Sequence, residues 1–355
     1  MAAQLSIFSE SVPIVPKFPS TRYQGSKQKF VNWIWNCIKD IPFHSVLDAF
    51  GGTGCVSFRL KQEGKRVIYN DILSFNHIIG KAIIENKGVF LEDDEVTALL
   101  KKHDLIIYPN FIEKTFKDIY FTDDENKWLD IVVTNIRNMN NIYKQAIAYF
   151  ALFQSCIIKR PYNLFHRKNL YVRLQDVDRS FGNKKTWDTS FETHFRKFVD
   201  EANNAVFDNG QNCSSMNLNV FDIEPDYDFV YIDTPYLNEC GVGVDYADFY
   251  HFLSGIVDYE NWYSLIDYNS KHLRLFREPN EWNKADSIHL AFEKLFMKFR
   301  NSVMAISYRS NGIPSIKELV VILERLGKKV EIHQSGEMKY VLSTKHSNEI
   351  LIVAR

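Results

Sequence analysis

The sequence predicts an α/β protein built around a largely parallel sheet, and three observations carry that prediction. An apolar pulse, Ser45-Val46-Leu47-Asp48, runs into the glycine-rich bend Gly51-Gly52-Thr53-Gly54. A second pulse, Arg66-Val67-Ile68-Tyr69, ends in Asn70-Asp71 after a helical stretch from about Cys55 to Glu63. A third, Phe229-Val230-Tyr231-Ile232, ends in Asp233-Thr234-Pro235-Tyr236. Strand, helix, strand is the unit from which such sheets are wound.

At the start, Val12 to Pro19 carries three prolines and reads as an extended arm, and Met1 to Lys17 lacks the charged start and apolar middle of a signal peptide. In the first β-α-β unit the glycines allow a tight bend and a close backbone approach to a ligand, while the following helix presents its free N–H groups. Asp71 lies about twenty residues beyond the glycines, where an acid can accept hydrogen bonds from ribose hydroxyls. Taken with Asp71, the bend points to a nucleoside cofactor at the switch point of the sheet. A phosphate loop is excluded because no Lys-Ser/Thr pair follows the glycines, and the third glycine of the dinucleotide fingerprint is missing.

Asp233-Thr234-Pro235-Tyr236 suits a flat, weakly nucleophilic amine. The lone pair of an exocyclic base amine is delocalised into the ring, and acceptors that draw its N–H groups out of plane expose it. Asp233 supplies one acceptor, and the carbonyl of the next residue supplies another, with Pro235 fixing the turn through its locked φ. Tyr236 offers a face on which a base removed from its duplex can stack. For these four residues alone, a strand end closed by an ordinary turn is the structural alternative.

From 86 to 215 the sheet pattern lapses into helical signals such as Ile142 to Phe150, over a span too long for a loop. Within it, Lys159 to Trp187 is the nucleic-acid candidate: Lys159, Arg160, Arg167, Lys168, Arg173, Arg179, Lys184 and Lys185 are interleaved with Tyr162, Phe165, His166 and Tyr171. A solvated charged face is the alternative. Strands resume near Met216 with Leu218-Asn219-Val220-Phe221. After the third pulse, Leu237 to Asn283 reads as loops and a helical piece, either beside the active site or as a structural satellite. Met304 to Gly312 reads as a strand and polar turn, and Ser315 caps a helix from about Ile316 to Leu326. Lys329 to Gln334 and Glu349 to Val353 read as two closing strands.

Composition sets outer bounds. At 355 residues two domains are expected, and 45% hydrophobic content suffices for packed cores. A net charge of -1 leaves any nucleic-acid surface to local clustering. Five cysteines with no Cys-x-x-Cys pair argue against a disulfide framework or zinc ribbon, and the histidines form no His-Glu-x-x-His pattern, so no metal is expected. No apolar run approaches eighteen residues, so a soluble cytoplasmic protein without membrane contact is expected.

Four motifs in a fixed order resemble the Dam-like (alpha-class) adenine-N6 DNA methyltransferases: Arg22-Tyr23-Gln24-Gly25-Ser26-Lys27, Asp48-Ala49-Phe50-Gly51-Gly52-Thr53-Gly54, Asn70-Asp71, and Asp233-Thr234-Pro235-Tyr236. Asp222 is a weaker fifth match. The resemblance implies a Rossmann-like S-adenosylmethionine-dependent methyltransferase sheet, with a catalytic domain in two parts, 1–85 and 216–355. A mainly helical DNA-recognition domain would be inserted at 86–215. It implies that Tyr23, Gln24, Gly25, Lys27, Asp48, Phe50, Gly52, Thr53, Gly54, Asp71, Ile72 and Asp222 bind the cofactor, and that Asp233, Thr234, Pro235 and Tyr236 are catalytic. Lys159, Arg160, Arg167, Lys168 and Arg173 would then meet double-stranded DNA. The family usually has proline where this chain has Thr234; the main-chain carbonyl is kept, and only rigidity changes. A cognate restriction endonuclease is the further implied partner. Cytosine N4 or RNA as acceptor, and a catalytically silent sequence-specific DNA-binding protein, are the competing readings.

Overall fold

The computed structural model describes residues 16–177, 184–276, 280–336, 338–339 and 346–355. Seven strands form the central sheet: β1 (Ser45–Asp48), β2 (Arg66–Asn70), β3 (Ser214–Met216), β4 (Phe229–Ile232), β5 (Val303–Arg309), β6 (Val330–Gln334) and β7 (Glu349–Ala354). Their order across the sheet is β3-β2-β1-β4-β5-β7-β6. The pairs β3–β2, β2–β1, β1–β4 and β4–β5 are parallel, while β7 runs antiparallel between β5 and β6. The expected α/β class and closing antiparallel strands are thus present.

Strand order reverses between β1 and β4, and such a reversal opens a crevice beyond the carboxyl ends of the two strands. The register aligns Val46 with Phe229 and Asp48 with Tyr231, so β1 ends beside the residue two positions before Asp233. Both faces of the sheet are covered, and side chains alternate between them as a period of two requires. Val46, Val67, Phe229 and Tyr231 enter one core; Leu47, Ile68, Val230 and Ile232 enter the other. Helices Ala285–Lys298 and Ile316–Arg325 cover the second face. The first face receives helices Val31–Ile38 and Cys55–Gln62 together with the longer Asp123–Arg137, Ile142–Ile158 and Phe191–Asn203. The helical stretch between β2 and β3 therefore shares one continuous core with the sheet.

Residues 218–221 do not form the expected strand. The strand is Ser214–Met216, and Val220–Asp222 is a 3₁₀ turn whose start is held by the Asn219 side chain accepting from the N–H of Phe221 (3.0 Å). Of the expected arm, Val12 to Val15 lies outside the described residues; Pro16 to Pro19 is irregular, with Phe18 edge-on to Phe58. No helix among the described residues is long and apolar enough to cross a membrane.

Ser315 closes a capping box with Glu318 at the start of Ile316–Arg325, as its spacing suggested. We expect Ser315→Ala to lower unfolding stability by about 1 kcal/mol, read as a shift of the urea midpoint at unchanged slope; an unchanged midpoint would show that the cap contributes nothing.

Candidate active site

The bend after β1 is fixed by packing against β2. A Cβ on Gly51 would lie 2.1 Å from the Tyr69 ring and one on Gly80 would lie 2.4 Å from it, so Tyr69 is clamped between two bare backbones. Its hydroxyl donates to the carbonyl of Gly52 (2.6 Å). Gly54, at φ +76°, turns the chain into helix Cys55–Gln62 in a conformation that side chains disfavour.

Beyond the ends of β1 and β4 lies a cavity that opens to solvent. Its wall combines Tyr23 to Lys27, Asp48, Phe50 to Thr53, Asp71 to Leu73 and Asp233 to Pro235. The glycine bend and the Asp233 segment, 180 positions apart at Thr53 and Asp233, therefore face one space.

Three carboxyls line it, each in a different environment. Asp71 accepts at Oδ2 from the N–H of Gly52 (2.9 Å) and from Asn76 (3.1 Å), and at Oδ1 from the N–H of Leu73 (2.8 Å), which leaves Oδ1 with spare capacity. Burial nevertheless raises its pKa to about 6, against the lowering effect of those hydrogen bonds. Asp48 accepts at Oδ2 from Ser57 (2.6 Å), while its Oδ1 has no partner among the described residues; burial pushes it up to about 7. Asp233 accepts at Oδ1 from the ammonium of Lys27 (2.7 Å). Burial lifts it to about 6, with Lys27 pulling it down and Glu349 pushing it up. For Lys27, burial works against the charge, but Asp233 and Glu349 outweigh it and hold the pKa well above the usual lysine value.

Tyr23 presents an edge to the cavity because both its faces are taken: it is sandwiched between Tyr250 (4.5 Å between centroids) and Tyr246 (5.6 Å). Tyr250 and Tyr246 belong to helix Tyr246–Val257, and the Tyr250 hydroxyl accepts from the N–H of Gln24 (2.8 Å). Tyr246 presses on Gly25, where a Cβ would meet its hydroxyl at 2.4 Å. The segment after Asp233 thus supplies both a cavity wall and a structural anchor. Ile72, 61% exposed, offers an apolar surface at the mouth, opposite in chemistry to its neighbour Asp71.

Several expected residues lie elsewhere. Gly54 acts through the bend rather than the cavity wall. Tyr236 sits beside the cavity, edge-on to Tyr308, with Lys27 and the Arg309 guanidinium over its ring at 5.6 and 5.7 Å. Asp222 does not line the cavity, because the turn at 220–222 leaves it exposed. Residues that the sequence reading missed include Tyr246, Ser57, Asn76 and Glu349. The last had a visible signal: one acid heading the otherwise apolar run Ile350 to Ala354.

The basic cluster needs correction. Lys159, Arg160 and Arg173 are buried, at 2%, 1% and 6% exposure, and cannot reach a phosphate. Lys159 donates to the carbonyls of Trp187 (2.7 Å) and Thr189 (2.6 Å) and pairs with Glu125, which also holds Arg173 (2.7 Å). Arg160 stacks on Tyr120 and donates to the carbonyls of Tyr120, Leu164 and Arg167 and to the side chain of Asn169. Their alternation with aromatics reflects an interior ion network. Arg167 and Lys168 remain exposed, and Arg179 lies outside the described residues. Among the described residues no group of three or more His, Cys, Asp or Glu side chains is placed to hold a metal ion.

Residues 23–278 match the family model for D12 class N6 adenine-specific DNA methyltransferases. The chain belongs to this family. The Type II methyltransferase M2.HphI of Haemophilus parahaemolyticus is 30% identical over 350 residues, covering 95% of this chain and 98% of that protein. Type II methyltransferase M.NlaIII of Neisseria lactamica is 24% identical, covering 86% and 88%. Type II methyltransferase M.FokI of Planomicrobium okeanokoites is 25% identical over 92% of this chain and 50% of its own length. In this D12 class protein the adenine specificity of the family answers the choice among planar amines that the acid, carbonyl and aromatic left open.

Glu125 neutralises two buried cations, and removing its charge strands both. Glu125→Gln should cost about 3–5 kcal/mol of unfolding free energy, measured by urea titration; a cost below about 1 kcal/mol would mean that the network is solvated.

Proposed function

We propose that this D12 class protein is a site-specific methyltransferase that moves a methyl group from S-adenosylmethionine to N6 of a flipped adenine in double-stranded DNA. The observation that carries the reading is the shared cavity of the Asp233 segment and the glycine bend at 51–54. The residues present fit the donor: Asp71 retains acceptor capacity for a ribose hydroxyl, Asp48 on the cavity wall carries a buried Oδ1 that has no donor among the described residues, and Phe50 and Ile72 offer apolar surface to a purine. S-adenosylmethionine supplies a methyl group made electrophilic by the adjoining sulfonium. Tyr23, Gln24, Gly25, Lys27, Gly52 and Thr53 complete the binding wall, with Gly54 shaping it from behind.

Asp233 and the main-chain carbonyl of Thr234 accept the two N–H groups of the target amine and expose its lone pair. Pro235 fixes that turn, and Tyr236 stacks on the flipped base. Attack is direct, so alignment of donor and acceptor supplies much of the rate. Arg167 and Lys168 contact phosphates from a recognition domain within 86–215, while 1–85 and 216–355 form the catalytic domain. The setting is the bacterial or archaeal cytoplasm. The relatives' names as Type II methyltransferases support a role in protecting host DNA alongside a cognate restriction endonuclease.

Incubation with labelled S-adenosylmethionine and duplexes of varied sequence, followed by mapping of modified bases, should find methylated adenines in one short motif. Modified cytosines, or none, would overturn the assignment. Asp233→Ala should still bind DNA while methylation falls by about 10²–10⁴-fold or more; retained methylation would remove Asp233 from the mechanism. Thr234→Pro should keep methylation, because the accepting carbonyl survives the exchange; its complete loss would show that threonine has a role of its own.

A further inference from the structure

Methylation of an amine creates a second problem after the methyl group has moved. The nitrogen lone pair forms the N–C bond as the S–C bond breaks, and the electron pair of the S–C bond stays on sulfur. The amine is left with a positive charge and one proton too many, and that proton needs an acceptor beside the nitrogen.

We propose that Glu349 is the positioning residue for this step: it shares the ammonium of Lys27 with Asp233 and so leaves Asp233 free to take the proton from the methylated amine. The proposal rests on the methyl-transfer reading above. Glu349 opens β7 and is 0% exposed. Its Oε1 lies 3.5 Å from Lys27 Nζ and accepts from the Ser307 hydroxyl on β5 (2.6 Å). Lys27 Nζ reaches Asp233 Oδ1 at 2.7 Å. A buried carboxylate on a strand otherwise made of Ile350, Leu351, Ile352, Val353 and Ala354 is costly unless it is compensated, and its compensation here is a cation already engaged by the reacting acid.

Lys27 Nζ thus pairs with two acids, one of them the reacting Asp233. A lone Lys27–Asp233 pair would hold Asp233 firmly ionised and a poor base. Burial raises the proton affinity of Asp233 to about 6 against that pull, and the second acid adds to the rise, into a range where a general base can work. The hydrogen bond from Lys27 goes to Oδ1, which leaves Oδ2 for the amine. The proton passes from the amine nitrogen to Asp233 and then to solvent when the product leaves.

Other groups around Asp233 are Tyr231 and Tyr236 from its own strand end, Tyr246 from the facing helix, Cys55 and Asp48 beyond the bend, and Arg309 across the Tyr236 ring. Burial raises the three tyrosines and Cys55 above their ordinary values, so they stay neutral through the working range. Asp48, pushed to about 7, and Asp71, pushed to about 6, titrate in the same window.

The test is the pH profile of kcat/KM for adenine methylation, which reports groups of the free enzyme. In Glu349→Gln the acid limb should move down by about one pH unit, so that activity at pH 5 rises about fivefold relative to its plateau. The same displacement should persist when Asp48→Asn is added. Binding of S-adenosylmethionine by calorimetry should stay within about twofold and report an intact fold. An unmoved limb in a folded, cofactor-binding variant overturns the proposal, and so does a loss of methylation at every pH. Should the single variant not fold, Glu349→Asp, which keeps the charge but withdraws it from Lys27 by one methylene, should move the limb in the same direction by a smaller amount; an unmoved limb overturns the proposal. A wild-type protein that methylates no duplex would sink the methyl-transfer reading itself, whereas an unshifted variant beside an active wild type removes Glu349 alone.

Discussion

One buried ammonium organises the active centre. Lys27 Nζ joins the N-terminal motif, the end of β4 through Asp233, and the last strand through Glu349, parts of the chain separated by more than two hundred positions. Lys27 is 4% exposed, and desolvating an ammonium costs several kcal/mol unless good partners compensate it. That cost makes the two contacts mutually dependent. Without the N-terminal motif, Asp233 and Glu349 would face each other across a cleft of low dielectric with no cation between them, and without either acid Lys27 would be expelled toward water. The sheet brings these groups together because β4 and β7 both pair with β5.

The second constraint is steric. Tyr69, wedged between Gly51 and Gly80, leaves no room for a side chain on the bend and so keeps the main chain itself at the cavity wall. On the opposite wall, the stack of Tyr246, Tyr23 and Tyr250 joins the N-terminal motif to the helix that follows the Asp233 segment. Aromatic pairs of this kind add about 0.5–1.5 kcal/mol beyond their buried area. The cavity is thus bounded by one wall of rigid backbone and one wall of interlocked rings, which suits a reaction whose rate depends on alignment more than on strong acid or base catalysis.

The sequence made the first β-α-β unit, the Asp233 strand end and the closing strands legible, because each couples a local period to a residue type with a narrow role: glycine at a bend, an acid at a strand terminus, serine at a cap. It also pointed to a cofactor at the switch point of the sheet, where the structure, through its strand order, sets the cavity beyond β1 and β4. Other features were hidden for physical reasons. Lys159, Arg160 and Arg173 read as surface cations because composition cannot reveal that Glu125, remote in sequence, neutralises two of them from inside. The stack around Tyr23 depends on a helix more than two hundred residues away. The segment 218–221 carries strand-like residues, yet the Asn219 side chain captures the next turn and ends the strand at Met216.

Burial of those three cations changes how the protein must meet DNA. With a net charge of -1, the chain has no general attraction for a polyanion, and the cations that seemed richest in phosphate contacts are consumed in the interior. Each phosphate neutralised adds about one to the salt dependence of binding, so a protein with few free cations at its interface binds with a shallow salt slope and weak non-specific affinity. The buried network has a structural use of its own, because Arg160, through its contacts to the carbonyls of Leu164 and Arg167, ties down the loop that carries the exposed Arg167 and Lys168.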